Sequence, residues 1–518
     1  MATYNLITQP WIRVRSQDGA LRPLGLRDAL VRAHELAAVE HPIPIVEAGV
    51  WRLLVALVLD IFPADRLRHL VALLEQGRFP EEAVDEYFDR HAAAFDLFSP
   101  TRPFLQDADA GGPEKPVAAL LPSQPSGTNV VHWHHGHEND FAIGPAEAAG
   151  LLAAIAPFMT AGGAGLSPSI NGAPPWYVMI EGPTLFHSIL LNVWAARPRS
   201  VECGVPAWRR ETPLETRKRR QSATLAESLT WQPRSIRLLP GPGGRCALSG
   251  SDCDVLVRRM HFMKGESCDF EWTDPNVGYV TARSGRTPVR PREDRAPWRD
   301  LGPLALLQEA QKEDLRIQRP EIITQFGRLV TEYPSLGLPD LRLRLYGMRT
   351  DGKMKVFEWY RDELHLPAQV SHRKPVQEKL VDAIEEAEKA QGALGYALST
   401  AVTVPIRSDS KSELFTPDSQ KEALIRAARR QYWAALEDPF RRLALELGAL
   451  HPEDDARDVE RAQEGWRETI RRTALDAFDS AAAFLRGDAR HLASMARGRA
   501  FLLSRLSNRE ARLSATGA

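Results

Sequence analysis

Apolar and polar positions follow different patterns in the first and last parts of the chain. Over about the first 365 residues, strand-like stretches such as YNLITQPWIRVR, PWYVMIEG and SIRLLP alternate with helical stretches. The helical stretches include VEAGVWRLLVALVLDIF and GPTLFHSILLNVWAA. This pattern predicts a large mixed α/β domain of unusual topology over residues 1–365.

Beyond about residue 375, apolar residues recur at spacings of three, four and seven, which predict four amphipathic helices. Pro439 is expected to bend or end the second helix. With short or moderate connections between them, these helices predict a four-helix bundle over residues 375–518 and an α+β fold class. The four apolar stripes are Leu380, Ile384, Ala387, Leu394 and Leu398; Leu424, Ala428, Tyr432 and Leu436; Val459, Trp466, Ile470, Ala474 and Phe478; and Leu492, Met495, Leu503 and Leu506.

A hairpin and a glycine-rich loop are the most distinctive local features. LRLRLYGMRTDGKMKVFEW alternates apolar and polar residues on both sides of Asp351-Gly352, which predicts a β-hairpin. AGGAGLSPSINGAPP, Ala161–Pro175, has four glycines and three prolines and cannot continue a helix or a central strand. Its bare backbone fits either a rigid space-filling loop or the close approach of a ligand.

Composition is that of a soluble globular protein, with 66 basic and 67 acidic residues. This balance argues against a protein coated in nucleic acid, but Trp208–Arg220 and Arg283–Arg299 are locally basic. Arginine interleaved with tryptophan and proline favours phosphate contact, although such segments are also typical of a solvated or disordered surface.

The compartment follows from hydropathy and cysteine content. Leu53–Leu59 is the most apolar run, but it is too short to span a bilayer and predicts a buried helix. No signal peptide is evident, and four cysteines in 518 residues do not form a disulfide framework. A reducing cytoplasm is therefore expected.

Four of the fourteen histidines lie in HWHHGH, His132–His137. Imidazoles bind transition metals, so a metal site is one interpretation. Adjacent histidines on a loop point apart, however, and a nucleic-acid-binding loop with Trp133 as a stacking platform fits the same residues, as does a plain surface loop. The sequence has no GxxxxGKS/T, HExxH, GxSxG or paired CxxC motif.

Several segments together resemble the large subunit of the type I-E CRISPR surveillance complex, the CasA family of Cascade. The order of glycine-rich loop, LLNV, WQP, hairpin and helical bundle is also similar to that family, over nearly the whole chain. The resembling segments are YNLITQPWIRVR followed by LGLRDAL, LLNVW at Leu190–Trp194, and SLTWQPRSIRL at Ser228–Leu238.

The resemblance implies a subunit without an active site or cofactor that recognises a protospacer-adjacent motif (PAM) in duplex DNA from the minor groove. It also implies that the subunit promotes duplex opening, holds the displaced strand and recruits a helicase–nuclease. The expected partners are guide RNA, double-stranded target DNA and its displaced strand, the other Cascade subunits and the helicase–nuclease effector. No membrane partner is expected.

Site residues follow from the same resemblance, by order along the chain. The family's wedge residue is a glutamine, which the hairpin tip RTDGK lacks. The DNA- and PAM-binding candidates are Gly162, Gly163, Ala164 and Gly165 of the glycine loop, Lys264 as the lysine finger with Arg258 and Arg259 as alternatives, and Arg349, Thr350 and Lys353 of the hairpin tip.

Two further groups complete the expected interface. The loop SGTNVVHWHHG, Ser126–Gly136, resembles the family loop that contacts the guide RNA and a neighbouring subunit. Its candidates are Asn129, His132, Trp133 and His134. The candidates for the displaced strand or the duplex backbone are Arg209, Arg210, Arg217, Lys218, Arg219, Arg220, Arg283, Arg286 and Arg290.

Two functions of other classes remain open from the sequence. One is a metal-dependent nuclease or hydrolase that uses the His132–His137 cluster. The other is a scaffold subunit whose helical bundle only docks proteins.

Overall fold

The structure is a computed structural model whose internal contacts divide the chain into two units, Met1–Leu364 and His365–Ala518. It describes residues 2–121, 141–162, 165–307, 310–312, 315–352, 355–406, 411–414, 418–450, 456–485 and 489–516.

The first unit mixes helices with short antiparallel sheets. Its helices are α1 (Leu26–Val31), α2 (Pro44–Ile61), α3 (Leu67–Gln76), α4 (Glu81–His91), α5 (Pro145–Phe158), α6 (Leu185–Leu191), α7 (Leu225–Leu229) and α8 (Glu321–Glu332). Its strands are β1 (Ile12–Ser16), β2 (Leu21–Leu24), β3 (Leu36–Val39), β4 (Glu114–Pro116), β5 (Tyr177–Glu181), β6 (Arg234–Arg245), β7 (Asp252–Lys264), β8 (Tyr279–Ala282), β9 (Gly285–Pro288), β10 (Ala310–Lys312), β11 (Leu315–Gln318), β12 (Leu341–Thr350) and β13 (Val356–Leu366).

Four sheets organise these strands, in the orders β2-β1-β3, β4-β7-β6, β13-β12-β5 and β10-β11-β8-β9. Two of them carry the predicted DNA-binding elements. In one, Arg234 at the start of β6 lies opposite Lys264 at the end of β7. In the other, β12 lies between β5 and β13, and β12 and β13 together form the predicted hairpin.

The core of this unit is built around α2, which is buried continuously from Ile45 to Leu59. An apolar helix without a polar face must be enclosed on all sides, and α2 packs against α5, α6 and α7. The prediction that Leu53–Leu59 forms a buried helix is confirmed. No helix in the described ranges is both long and apolar enough to cross a membrane.

The second unit contains four long helices that pack on one another, so the predicted α+β fold class with a terminal helical bundle is confirmed. A short hairpin, β14 (Thr403–Ile406) with β15 (Lys411–Leu414), interrupts the helices and was not expected from the sequence. The helices are α9 (Lys374–Ala401), α10 (Asp418–Ala449), α11 (Ala456–Ala482) and α12 (Ala489–Thr516).

Pro439 does not end its helix: α10 continues to Ala449, with buried Leu436 and Phe440 on either side of the proline, so a bend is the part of that prediction that stands. One detail of the predicted bundle is wrong. In α12, Leu492 of the predicted stripe is 63% exposed, and the buried stripe is Ser494, Gly498 and Leu502. Small residues face the core there because α12 lies close to α9: a Cβ atom at position 498 would lie 2.5 Å from the carbonyl oxygen of Ala397.

Candidate nucleic-acid interface

Two backbone hydrogen bonds close the base of the glycine loop. The amide of Gly162 donates to the carbonyl oxygen of Leu166 at 2.9 Å, and the amide of Ser169 donates to Met159 at 2.8 Å. Gly165 has φ of 74°, a left-handed conformation that favours glycine. No other atom in the described part of the chain lies within 4 Å of the Cβ position at Gly165. The backbone here is therefore bare, and it faces open space.

Arg234 holds the two ends of this turn. Its guanidinium donates to the carbonyl oxygens of Ser167 at 2.5 Å and Thr160 at 2.7 Å, and also to Pro233 at 2.8 Å. Arg234 is 3% exposed, and no carboxylate in the described ranges forms an ion pair with it. Burial lowers the pKa of Arg234 to about 10, so the side chain stays cationic at neutral pH.

Lys264 lies directly across the β6–β7 ladder from Arg234. Residues opposite each other in an antiparallel pair project from the same face, so Lys264 projects beside the loop that Arg234 holds. Gly265, the next residue, allows the end of β7 to pack on the backbone before Arg234, since a Cβ atom there would lie 2.3 Å from the carbonyl oxygen of Gln232. The glycine loop and Lys264 are thus both linked to Arg234, the loop through its hydrogen bonds and Lys264 through strand pairing.

The alternatives to Lys264 lie elsewhere on the same strand. Arg258 and Arg259 precede it by six and five residues, or roughly 16–20 Å at about 3.3 Å per residue. Arg259 forms an ion pair with Glu114 at 2.7 Å, and Arg258 donates to the carbonyl oxygen of Pro242 at 2.8 Å. The register of the ladder favours Lys264 as the residue beside the loop.

Strand β12 of the predicted wedge hairpin lies against the other end of the glycine loop. The loop leads through Trp176 into β5, whose Tyr177 opens the pairing with β12. A Cβ atom at Gly347 in β12 would lie 2.7 Å from the Trp176 ring. Arg290 donates to the carbonyl oxygen of Ala173 at 3.0 Å. The loop therefore connects the sheet that carries Lys264 to the sheet that carries the hairpin.

At the hairpin tip, the described side chains have partners within the chain. Arg349 forms an ion pair with Glu358 at 2.9 Å, and its guanidinium lies 4.6 Å from the centre of the Phe357 ring. The hydroxyl of Thr350 accepts a hydrogen bond from the amide of Gly352 at 3.1 Å. The predicted turn at Asp351-Gly352 is confirmed, with φ of 81° at Gly352.

Comparison with known proteins identifies the family of this chain. The model of the family described as CRISPR-associated protein Cse1 matches residues 5–477. The chain belongs to the Cse1 family. CRISPR-associated protein CasA/Cse1 of Thermus thermophilus is 29% identical over 96% of this chain and 95% of its own length. The predicted resemblance is confirmed.

Solved Cse1 structures share the whole fold. The crystal structure of CasA from Thermus thermophilus gives a TM-score of 0.77 at 27% identity, over 98% of this chain and 100% of that chain. A chain of a CRISPR RNA-guided surveillance complex gives a TM-score of 0.74 at 25% identity, over 97% and 100% of the two chains. These matches span both units of this Cse1 chain.

The first basic segment of this Cse1 chain divides into structural and exposed residues. Burial alone would lower the pKa of Arg220, but hydrogen bonds to Glu227 and Glu266 outweigh it and raise that pKa. The paired arginines hold the segment to the body of the protein. Their ion pairs are Arg209 with Asp60 at 2.6 Å, Arg210 with Glu266 at 3.1 Å, and Arg220 with Glu227 at 2.8 Å and Glu266 at 3.0 Å.

Three consecutive basic residues of that segment face solvent. Glu215 accepts hydrogen bonds from the backbone amides of Arg217 and Lys218 at 3.0 and 3.1 Å, and both side chains are exposed. Arg219 pairs with Asp269 at 3.2 Å, but the two side chains are 65% and 57% exposed. An exposed pair of this kind is weak and readily exchanged for another anion.

The second basic segment is mostly engaged inside the unit. Arg286 lies 3.6 Å from the centre of the Tyr279 ring and donates to the hydroxyl of Thr273 at 2.9 Å. Arg290 is used by the glycine loop, as described above, and Arg283 also has an interaction within the chain. Arg286 and Arg290 therefore support the fold around the loop, whereas the Arg283 side chain is exposed.

Several predicted site residues lie outside the described residues. In the ranges that are described, no group of three or more His, Cys, Asp and Glu side chains could hold a metal ion. The predicted residues outside these ranges are Gly163 and Ala164 of the glycine loop, Lys353 of the hairpin tip, and Asn129, His132, Trp133 and His134 with the rest of the His132–His137 cluster.

Sequence reasoning missed the residues that hold the loop in place. Arg234 follows the WQP motif directly, and this adjacency was the only signal in the sequence. Asn171, within the loop, donates to Asp274 at 3.0 Å, and Asp274 in turn pairs with buried Arg52 at 2.7 Å. Lys115 on β4 was also missed; its ammonium lies 5.1 Å from the ring of Phe262.

Proposed function

We propose that this chain is the large subunit of an RNA-guided CRISPR surveillance complex. Membership of the Cse1 family and the match over 97% of the chain to a subunit of such a complex support this proposal. Its partners are then guide RNA, the other subunits and target DNA. The loop Ser126–Gly136 is proposed to contact the guide RNA through Asn129, His132, Trp133 and His134.

Within that complex, the chain recognises a PAM in duplex DNA from the minor groove. The observation that supports this proposal is that Arg234 binds the carbonyl groups of Thr160 and Ser167, on either side of the turn at Gly165, and lies opposite Lys264 in the β6–β7 ladder. The minor groove is narrow, and its edges mainly distinguish G·C from A·T pairs. A turn built mainly of glycine can enter it, and a lysine can reach an acceptor on a base or a phosphate.

The hairpin β12–β13 opens the duplex next to the motif. Unstacking one base step costs about a few kcal/mol, and motif contacts together with guide pairing offset that cost. Because Arg349 is already paired with Glu358, the tip acts mainly as a steric wedge rather than through this cation. Arg217, Lys218 and Arg219 then hold the displaced strand, and the opened complex recruits a helicase–nuclease.

The test is binding of the reconstituted complex to duplexes with and without the motif. Lys264→Ala is expected to reduce affinity for the motif duplex at least tenfold and affinity for the other duplex less than threefold. Arg258→Ala, on the same strand but bonded to Pro242, is the matched control and should change neither. Equal losses on both duplexes for Lys264→Ala would contradict motif recognition at this site.

A further inference from the structure

We propose that Arg234 is the positioning residue that sets the conformation of the glycine loop and fixes it relative to Lys264. The inference rests on the proposed function of that loop in PAM recognition. Arg234 does not contact DNA in this account. It acts through the two carbonyl groups that it binds, at Thr160 and Ser167.

The two accepting carbonyls lie on either side of the turn that Gly162 and Leu166 close. A guanidinium presents several N–H groups in one rigid plane, so it can bind two separate carbonyls at once. With Arg234 at the first position of β6, both ends of the loop are fixed to the strand opposite Lys264. A lysine at position 234 could not reproduce this geometry, because an ammonium is a single point on a flexible stem.

The electrostatics also favour a positioning role over a purely structural one. A buried cation is costly without a partner of opposite charge, and an apolar residue often serves stability as well or better. Arg234 is nonetheless buried, and its guanidinium rests 5.6 Å from the centre of the Phe262 ring. Its charge therefore adds to the positive potential beside Lys264, where an anionic DNA strand would pass.

Arg319 provides a matched control within the same chain. It is 4% exposed, donates to the carbonyl oxygens of Ala305 and Leu306 at 3.3 and 3.2 Å, and has its pKa lowered by burial to about 10. It follows β11, in a different sheet from Arg234. Any general cost of replacing a buried, carbonyl-bound arginine should therefore appear equally in Arg319→Lys.

The experiment measures hydrogen–deuterium exchange of the Gly162 and Ser169 amides in the full chain, and motif discrimination in the reconstituted complex. For Arg234→Lys we expect at least tenfold faster exchange at both amides. We also expect at least a tenfold smaller affinity ratio between motif and motif-free duplexes. Arg319→Lys should leave both quantities within twofold of wild type.

The outcomes separate this inference from the proposed function. Faster exchange with unchanged discrimination supports the positioning role and contradicts motif reading by the loop. Unchanged exchange in Arg234→Lys overturns the inference, whatever happens to discrimination. If that variant does not fold, Arg234→Gln replaces it with the same expectations. Rapid exchange of both amides in the wild-type chain would overturn the inference without any variant.

Discussion

At the residue scale, the glycine loop combines a conformational need with an open surface. Gly165 requires a left-handed backbone, which alone explains a glycine at this position. The space around its Cβ position is a separate property: no atom in the described part of the chain would clash with a side chain there. The two properties can be separated by choosing substitutions that differ in their tolerance of positive φ.

Gly165→Asn and Gly165→Ala make that separation. Asparagine adopts the left-handed conformation readily, whereas for alanine that conformation costs roughly 1–2 kcal/mol. If DNA approaches the bare backbone, both variants should lose at least fivefold in affinity for the motif duplex in filter-binding titrations. Retention of wild-type affinity by Gly165→Asn alone would mean that only the backbone conformation matters.

A second residue-scale prediction concerns the buried pair that holds the other half of the loop. Asp274 is fully buried and accepts from Arg52 at 2.7 Å and from Asn171 at 3.0 Å. Asp274→Asn leaves a buried guanidinium without a counter-charge, so the free energy of unfolding should fall by about 3–5 kcal/mol in urea titrations. Asp269→Asn removes the exposed pair with Arg219 and should cost less than about 1 kcal/mol. Similar losses in the two variants would contradict this account.

At the element scale, the bundle depends on how closely its helices approach. In α12 the small residues Ser494 and Gly498 face inward, and larger Leu492 faces solvent. Apolar spacing alone selected the wrong stripe, because a close helix pair buries small side chains and backbone rather than leucine. The opposite case is Gly465 in α11, where no atom of the described residues lies within 4 Å of the Cβ position.

These two glycines should respond in opposite directions to alanine. Gly498→Ala places a methyl group 2.5 Å from the Ala397 carbonyl oxygen, and such overpacking typically costs about 1–3 kcal/mol. Gly465→Ala meets nothing and should gain about 0.5–1 kcal/mol through lower backbone entropy in the unfolded chain. Thermal unfolding of the two variants measures the signs, and a stabilised Gly498→Ala would refute the close packing.

At the scale of the whole molecule, a formal net charge of −1 provides no general attraction for DNA. Salt-sensitive DNA binding must then come from local clusters of basic residues. Many of the basic residues predicted to bind DNA form ion pairs inside the first unit. Arg217, Lys218 and Arg219 are exposed, so they are the members of the first basic segment best placed to contact a phosphate backbone.

Replacing these three residues together with alanine should therefore flatten the salt dependence of target binding. The slope of log K against log salt is negative, at about 0.7 per phosphate contact to a single strand. Loss of three contacts should therefore make that slope less negative by roughly 2. Arg22→Ala, which removes an exposed arginine outside the segment, is the control and should leave the slope unchanged. An unaltered slope in the triple variant would favour a scaffold that does not bind the displaced strand.

Much of the architecture follows from local sequence signals. The buried run in α2, the Asp351-Gly352 hairpin and the four long helices were predictable, because burial, turn chemistry and helical periodicity act over short distances. Whether α10 continues through Pro439 was not, because a proline inside a helical pattern can either kink the helix or end it. The acidic partners of the basic residues were also hidden, since Asp60 and Glu266 lie far from Arg209 and Arg210 in the chain.

The sequence by itself determined the family resemblance, the order of loop, strand, hairpin and bundle, and the bare backbone near Gly165. Only the tertiary structure decided which cations are exposed and which residues hold the loop. Arg234 binds Thr160 and Ser167 across 74 and 67 positions of sequence. Such contacts depend on the register of β6 with β7 and on long-range burial, which no local pattern of residues encodes.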